Sequence, residues 1–326
     1  MPGAGFAYLG CYAGSDFDTY GQTSFTQLMY YYSFGKYLRE KYGTRVRRLS
    51  LNAGFTCPNR DEDSGKDGCI FCNELGFSRF AGTKDSLKRQ IDGSMTCPGE
   101  EAPPHKFIAY FQNAAGTNAQ PDKLKAAYDV IKGYPEIVGL SVSTRPDCVD
   151  EEKLDLIASY APRYEVWVEY GLQTVHDRTL EAINRRHTFS QSVDAITKTA
   201  QRGIKVGVHV ILGLPGESGE DMIDTARELS RLPVSGVKLH VLHVLKDTEL
   251  ERLYRSGKVK LMSRDEYVRV TCDFLENLKA DCVVLRLVSD AKKEFLVAPG
   301  WINDKLLVIK MIEGEFARRG TCQGTR

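Results

Sequence analysis

The stretch KVGVHVILGLPGESGEDMIDTARELS, residues 205–230, contains the local pattern that decides the fold. Its apolar first part, Lys205 to Leu212, predicts a strand, the glycines and proline that follow predict a turn, and Gly219 to Ser230 have helical periodicity. A strand followed by a helix at this spacing suits a right-handed parallel crossover. The stretch therefore predicts one strand–helix unit of an α/β protein.

The same alternation extends on both sides of this stretch, from about Val46 to Leu278. Six strand–helix units can be assigned there. Their predicted strands are Val46 to Leu51, Lys106 to Gln112, Ile137 to Ser143, Tyr164 to Tyr170, Lys205 to Leu212 and Gly236 to His243. We expect a barrel or an open parallel sheet, with function at the C-terminal ends of the strands.

Length and composition describe an ordinary globular chain. Its 326 residues suit one α/β barrel of roughly 250 residues with an extension. With 42% hydrophobic and 27% charged residues, the composition excludes long disorder and low complexity. We expect an N-terminal extension over 1–45 with one helix, a barrel over 46–280, and a C-terminal appendage over 281–326. The strand-like run Cys282 to Val288 is assigned to that appendage, which is expected to pack on the barrel.

Charge and hydropathy limit the partners. The formal net charge is +1, so nucleic-acid binding would need a local patch. One candidate is the basic, tyrosine-rich segment from Lys36 to Arg48, which has the composition of an RNA contact or of a solvated helix face. No run approaches the ~18 apolar residues of a spanning helix, and residues 1–11 lack the basic start of a signal peptide. We therefore expect a cytoplasmic protein without membrane contact.

The cysteines are the strongest chemical signal. Their odd number, nine, without a secretion signal, argues against a disulfide framework. Cys57, Cys69 and Cys72 share one glycine-bearing loop after the first strand, the last two as Cys-x-x-Cys. A redox pair is one interpretation, and a structural zinc site would need a fourth ligand although no His lies near the loop. Three thiolates that leave one coordination position open suit a 4Fe-4S cluster.

Seven stretches carry a resemblance to a known family: LSLNAGFTCPNRD, GCIFCN, FIAYFQNAAGTNA, LSVSTRPDCV, VEYGLQTVHDRTLEAINRRH, HVILGLPGES and KLHVLHVLKDTEL. Through them the chain resembles the radical S-adenosylmethionine (SAM) superfamily, and within it the YhcC/YtqA-type family, whose core is related to that of the catalytic subunit of Elongator. The resemblance implies a partial (β/α)6 parallel barrel. Eleven residues separate Cys57 from Cys69, where the common superfamily signature has three, and this longer loop looks like the family's own variant.

The resemblance also implies cofactors and their contacts. Cys57, Cys69 and Cys72 would hold a 4Fe-4S cluster, which a donor such as flavodoxin or ferredoxin would reduce. SAM would then be cleaved to a 5′-deoxyadenosyl radical that abstracts hydrogen from a substrate. The residues implied to contact SAM are Phe71, Gln112, Asn113, Thr117, Asn118, Ser143, Glu169, Gln173 and Gly213.

Charged side chains near the strand ends are candidates for catalysis and substrate binding. Arg145 follows an apolar strand, and its planar fork suits a methionine or substrate carboxylate, with a surface ion pair to Asp147 as the alternative. Glu169, in a central strand, is expected either at a polar mouth or paired with another group, because burying an unpaired carboxylate is costly, and a structural role is the alternative to a SAM contact. The group predicted to act on an acidic or polar substrate is Arg145, Lys238, His240 and His243, although single histidines are often core residues.

The resemblance points to a substrate as well. The family looks related to tRNA wobble-uridine modification, so we expect tRNA as partner and trimming of a carboxymethylaminomethyl group at C5 to aminomethyl. Two alternatives stay open. The first is a radical SAM enzyme for a small metabolite, and the second is a non-enzymatic zinc or redox module that binds RNA.

Overall fold

The computed structural model describes residues 12–13, 28–61, 66–73, 85–96, 105–112 and 114–326. Its centre is one sheet of seven parallel strands in which each strand lies beside its neighbour in the chain. The strands are β1 Val46–Leu51, β2 Lys106–Phe111, β3 Ile137–Thr144, β4 Glu165–Gln173, β5 Lys205–Leu212, β6 Gly236–Val241 and β7 Val283–Arg286. The predicted α/β partial barrel is thereby confirmed.

Helices fill the connections between the strands. They are α1 Phe34–Tyr42, α2 Leu87–Met95, α3 Pro121–Tyr128, α4 Glu151–Ala158, α5 Asp177–Ala182, α6 Phe189–Gln201, α7 Gly219–Arg231, α8 Glu249–Arg255, α9 Arg264–Glu276 and α10 Lys305–Arg319. Local sequence explains where several begin, because capping boxes at Thr188, Ser218 and Ser263 satisfy the first backbone N–H groups of α6, α7 and α9. None of the helices in the described part of the chain is both long and apolar enough to cross a bilayer.

Short elements complete the secondary structure. Three antiparallel pairs join Tyr12–Ala13 with Leu28–Met29, Arg60–Asp61 with Lys66–Asp67, and Val244–Leu245 with Leu296–Ala298. Single 3₁₀ turns occur at Asp129–Gly133, Pro146–Cys148 and Gly300–Asn303.

The two faces of the sheet differ in chemistry. One face of each strand packs apolar side chains against the helices, as Leu140 and Val142 of β3 and Val166 and Val168 of β4 show. Because side chains alternate along a strand, the other face turns into the barrel, and many of its side chains are polar. The inward polar residues include Arg48, Tyr110, Ser141, Ser143, Glu169, His209, Lys238 and His240.

The segment after residue 280 differs from expectation. Val283–Arg286 is not part of an appendage but the seventh strand of the sheet, since Gly236 of β6 pairs with Val283 in parallel register. The strand satisfies backbone groups along β6 that would otherwise be an open sheet edge. Only the rest of the segment packs around the barrel, with α10 held to α9 by an ion pair of 2.7 Å between Arg319 and Asp273.

Helix α1 closes the N-terminal end of the barrel. Phe34 and Tyr37 contact the Trp167 ring edge-on at 5.8 and 5.9 Å, and Tyr37 and Lys41 both bond to Glu165 at the start of β4. The six residues of β1 then separate α1 from the cysteine loop by roughly 20 Å at 3.3 Å per residue. The basic segment 36–48 is thus close to the cysteines in sequence but lies mostly at the opposite end of the barrel.

Candidate active site

A cavity of about 400 Å³ opens at the C-terminal ends of the strands. All seven strands or the loops that follow them contribute to its lining. Eleven of the residues predicted for the site line it: Cys57, Cys69, Phe71, Cys72, Gln112, Ser143, Arg145, Gln173, Lys238, His240 and His243. The fold therefore brings the cysteine loop and the strand-end residues to one place, as parallel strands require.

The cysteine loop is held by the turn that follows α5. Asn59 donates to the Asn184 carbonyl at 2.7 Å, and Asn184 donates in return to the Gly68 carbonyl at 2.6 Å. Ile70 adds a backbone bond of 3.2 Å to the Ile183 carbonyl. The loop thus presents its thiols from a braced backbone. Asn118 braces the other side, donating to the Thr56 carbonyl at 3.1 Å.

The residues present fit a cluster better than a single ion. Within the described residues, no three Cys, His, Asp or Glu side chains converge as ligands of one metal ion do. A four-iron cluster attaches each thiolate to a different iron and so spaces the sulfurs more widely. Cys57, Cys69 and Cys72 face one cavity from one loop, which is the donor set that such a cluster needs.

Other described cysteines are suited to the core rather than to metal. Burial raises the pKa of Cys148, Cys272 and Cys282 to about 12 in each case. These thiols stay protonated at neutral pH, and a protonated thiol is a poor ligand.

Of the described residues predicted to contact SAM, Thr117, Asn118, Glu169 and Gly213 do not line the cavity. Asn113 lies outside the described residues. Thr117 is buried and donates to the Cys148 carbonyl at 2.7 Å, while Asn118 bonds to the cysteine loop. Gly213 has a φ of +85°, and a Cβ there would lie 2.8 Å from Met262 Sδ. Thr117, Asn118 and Gly213 shape the mouth, and a direct contact of theirs with SAM stays a prediction.

Glu169 is paired, as one of the two alternatives required, but it does not occupy the strand-end position expected for a SAM contact. It lies in the middle of β4, fully buried, and not at a strand end. Its carboxylate accepts from Ser141 Oγ at 2.8 Å and lies 3.1 Å from Arg48 Nη1 and 3.3 Å from Lys238 Nζ. Tyr110 and His209 complete the shell at 3.1 and 2.9 Å. Burial alone would raise the pKa of Glu169, but Arg48 and Lys238 hold it well below its ordinary value.

Below the cysteine loop the cavity ends on what we call the floor, formed by Tyr110, His209, Lys238, His240 and Arg286. Lys238 Nζ donates to the Tyr110 hydroxyl at 2.6 Å, and Arg286 Nη2 lies 2.7 Å from His240 Nδ1. Burial lowers the pKa of Lys238 to about 7, against the opposing effect of Glu169. Burial also lowers the pKa of His209 to about 4 and that of His240 well below its ordinary value, so both are neutral at pH 7.

Arg145 forms the ion pair with Asp147 that was the alternative for it, and it also keeps an N–H that could bind a carboxylate. Its guanidinium pairs with Asp147 through bonds of 2.8 and 2.7 Å, but Arg145 itself is only 2% exposed. A third bond of 2.9 Å goes to the Arg185 carbonyl. Nη1 has no hydrogen-bond partner among the described residues, although it is buried at the cavity. One N–H direction of Arg145 therefore fits a carboxylate of a bound molecule.

Several site residues escaped the sequence-based prediction. The inward position of Arg48 could have been predicted from the sequence. Strict alternation in VRRLSL puts its side chain on the face opposite the buried Leu49 and Leu51. Arg286 could be placed only by its pairing with Lys238 across β6 and β7. Asn59 and Arg185 lie within stretches that carry the family resemblance, but nothing local indicates that they meet.

Fold and site together define a class of protein: a half-barrel of parallel strands whose first strand leads into a three-cysteine loop is the scaffold of a cluster-dependent enzyme. The sequence profile of the Radical SAM superfamily matches residues 66–229, and that of the Radical_SAM C-terminal domain matches residues 234–318. The chain is 38% identical over 295 residues to the uncharacterised protein YtqA of Bacillus subtilis, covering 90% of this chain and 92% of YtqA. The chain therefore belongs to the radical SAM superfamily, in the YhcC/YtqA-type family that its sequence resembles.

It is accordingly a radical SAM enzyme, and this superfamily uses a 4Fe-4S cluster, SAM and a one-electron donor. The chain is also similar, more weakly, to the tRNA uridine(34) acetyltransferase of Methanocaldococcus jannaschii. The two are 29% identical over 137 residues, which cover 41% of this chain and 25% of that protein. Among solved structures, Elp3 of Methanocaldococcus infernus has a TM-score of 0.61 at 17% identity, covering 85% of this chain and 64% of Elp3. That likeness shows a shared fold.

We predict that alanine at Cys57, Cys69 or Cys72 abolishes cluster assembly, because each removes one of three thiolate ligands. Iron and sulfide counting after anaerobic reconstitution checks this. Cys148→Ala is the matched control, since that thiol lies near the mouth but is protonated and buried. Full iron in Cys69→Ala, or lost iron in Cys148→Ala, would contradict the assignment.

We predict that Glu169→Gln lowers the free energy of unfolding by about 3 kcal/mol, because Arg48 and Lys238 lose their buried counter-charge. Urea denaturation of the cluster-free protein measures this. The control is Glu220→Gln, whose exposed pair with Arg227 contributes at most ~1 kcal/mol. Unchanged stability with weakened SAM binding in the loaded enzyme would instead favour the predicted cofactor contact.

Proposed function

We propose that this radical SAM enzyme acts on tRNA and trims a carboxymethylaminomethyl group at C5 of the wobble uridine to aminomethyl. The observation that carries the proposal is the floor, where Lys238 and Arg286 face the cavity. A substrate that reaches the floor must satisfy these cations. The carboxylate at the end of the proposed side chain has the charge to do so.

The charges around the floor favour an anion. Arg48, Lys238 and Arg286 supply positive charge, and Glu169 is the carboxylate buried among them. The low pKa values of His209 and His240 leave both rings neutral. Asp290 also lines the cavity and lies 3.8 Å from Arg286 Nη1, so two carboxylates offset two of the three cations, and the floor carries a surplus positive charge while Lys238 is protonated. A buried cationic surplus is costly unless a ligand supplies the opposite charge.

The chain's own residues have separate tasks in this proposal. Cys57, Cys69 and Cys72 would hold the cluster, which when bound supplies the electron for SAM cleavage. The free N–H of Arg145 would bind the methionine carboxylate of SAM. Lys238 and Arg286 would orient the substrate carboxylate so that its methylene carbon faces the cofactor. The surrounding barrel excludes water from the reacting carbon.

The proposed reaction balances without an outside oxidant. The methylene carbon beside the substrate carboxylate loses one hydrogen atom to the adenosyl carbon released from SAM. The carbon radical then loses one electron, which replaces the electron used to cleave SAM. This oxidation forms a C=N bond between that carbon and the neighbouring amine nitrogen. Water adds to that bond, and its cleavage leaves the aminomethyl group on the uridine and releases glyoxylate and a proton. Methionine and 5′-deoxyadenosine are the other products, so SAM is consumed.

Size and similarity favour a nucleotide substrate. A cavity of about 400 Å³ is in the range of small-molecule sites and cannot enclose a folded RNA, so a tRNA would insert one flipped nucleoside. The similarity to a protein named tRNA uridine(34) acetyltransferase supports uridine 34 of tRNA as the site of the proposed reaction. We further propose flavodoxin or ferredoxin as electron donor and the cytoplasm as location, where cysteine thiols stay reduced.

Nucleoside mass spectrometry tests the proposal. In cells that lack the gene, tRNA should accumulate the carboxymethylaminomethyl uridine and lose the aminomethyl form. Wild-type protein should restore the profile, and the Cys57→Ala variant should not. Purified enzyme with SAM, reductant and the deletion-strain tRNA should release glyoxylate. An unaltered tRNA profile would refute the proposal and favour a small acidic metabolite, which the same floor could bind.

We predict a pH dependence from Lys238. Because its pKa is about 7, the side chain is a cation below that pH and neutral above it, while the substrate carboxylate stays ionised. KM for a modified anticodon stem-loop should therefore rise above pH 7 by up to about tenfold per pH unit. Lys238→Met should flatten the profile, and an unmodified stem-loop, without the carboxylate, is the control in binding assays. A wild-type profile that is flat through pH 7 would remove Lys238 from carboxylate binding.

A further inference from the structure

Two side-chain N–H groups converge on one of the three cysteine sulfurs. Asn59 Nδ2 lies 3.3 Å from Cys69 Sγ, and Arg185 Nη1 lies 3.5 Å from the same sulfur. All three side chains are buried, with exposures of 2%, 7% and 7% for Asn59, Arg185 and Cys69. The two donors come from two segments that contact each other, the cysteine loop and the turn after α5.

Backbone contacts hold both donors in place. Asn59 Nδ2 also donates to the Asn184 carbonyl at 2.7 Å. The Arg185 guanidinium is anchored on the Gly171 carbonyl by Nη2 at 2.6 Å and by Nε at 3.2 Å. Glycine at residue 171 leaves room for this arrangement, because a Cβ there would lie 2.5 Å from Arg185 Nη2 and would displace the guanidinium. The end of β4 is therefore built to let this guanidinium approach the cysteine loop.

No described residue supplies a counter-charge to Arg185. In the described part of the chain its guanidinium contacts the Gly171 carbonyl and the Cys69 sulfur, and no carboxylate. Its neighbour Arg145, by contrast, is neutralised by Asp147. A buried guanidinium without a counter-charge is strongly unfavourable, so its position beside Cys69 indicates that an anion belongs there. A thiolate that ligates a cluster is such an anion.

We propose that Arg185 and Asn59 tune the cluster through Cys69 and raise its reduction potential. Reduction adds one electron to the cluster and so one negative charge. A nearby cation and N–H···S hydrogen bonds stabilise the reduced form more than the oxidised form. Both residues are positioning residues, since they act through the cysteine ligand. The inference rests on the family's cluster and not on the tRNA substrate.

The test is a potentiometric titration of the reconstituted enzyme without substrate, followed by the electron paramagnetic resonance signal of the reduced cluster. Arg185→Gln should shift the oxidised-to-reduced ratio at least tenfold toward the oxidised form, which is a midpoint about 59 mV more negative. Arg185→Lys, which keeps the charge, should shift it less. Asn59→Ala, which removes one N–H donor, should shift it in the same direction.

The control is Arg186→Gln, since Arg186 is an exposed neighbour that bonds to Asn184 Oδ1. Iron counting reports cluster content, and a partly loaded variant is still informative because the midpoint does not depend on occupancy. If Arg185→Gln cannot be isolated, Asn59→Ala and Arg185→Lys carry the test. Midpoints equal to wild type in every variant would overturn the proposal, whatever the tRNA experiments show.

Discussion

The carboxylate of Glu169 is the point at which the barrel strands are joined. Arg48 of β1, Tyr110 of β2, Ser141 of β3, His209 of β5 and Lys238 of β6 all reach it from within the barrel. Such a group is stable in the interior only if every partner is in place, so the network constrains the curl and register of the sheet. The neighbouring Gly207 leaves room for it, since a Cβ there would lie 2.9 Å from Glu169 Cγ.

The Glu169 network lies between two different regions of the barrel interior. Towards the N-terminal end, Trp167 lies on the same face of β4 as Glu169 and is covered by Phe34 and Tyr37 of α1. Towards the C-terminal end, the floor residues share partners with Glu169 and open into the cavity. One end is thus closed by aromatic packing, and the other is left polar and accessible. The charges that stabilise the barrel are also those that a substrate meets.

The cysteine loop depends on a second set of contacts, made with the turn after α5. That turn supplies the Ile183 carbonyl to Ile70, the Asn184 amide to Gly68, and the Arg185 guanidinium to Cys69. The same turn also supplies a carbonyl to Arg145. The proposed cluster ligands and the proposed SAM carboxylate contact are therefore positioned by one segment. Together with the bond from Asn118 to Thr56, these contacts hold the described loop residues so that the three thiols face one cavity.

Much of the architecture could be predicted from the sequence, because its signals are local. Apolar runs, caps and glycine turns specify strands and helices within a few residues, and Cys57, Cys69 and Cys72 share one loop. Alternation correctly puts Trp167, Glu169 and Gly171 on one face of β4. It does not tell how deep in the barrel each residue lies, and so Glu169 was expected at the mouth. In the same way, Val283–Arg286 reads as a strand, but its place beside β6 depends on an unpaired edge more than forty residues away.

Only the tertiary structure decided which polar groups meet. Arg48 and Glu169, Cys69 and Arg185, and Lys238 and Arg286 are far apart in the chain, and each pair is brought together by the curl and register of the sheet or by a loop packed on it. A change of one residue in register would turn an inward side chain outward, so these contacts follow from the whole sheet and not from any one strand. The sequence determined the elements and the candidate cluster cysteines because those depend on neighbouring residues. The electrostatics of the site required the fold, because the energy of a buried charge depends on every group that surrounds it.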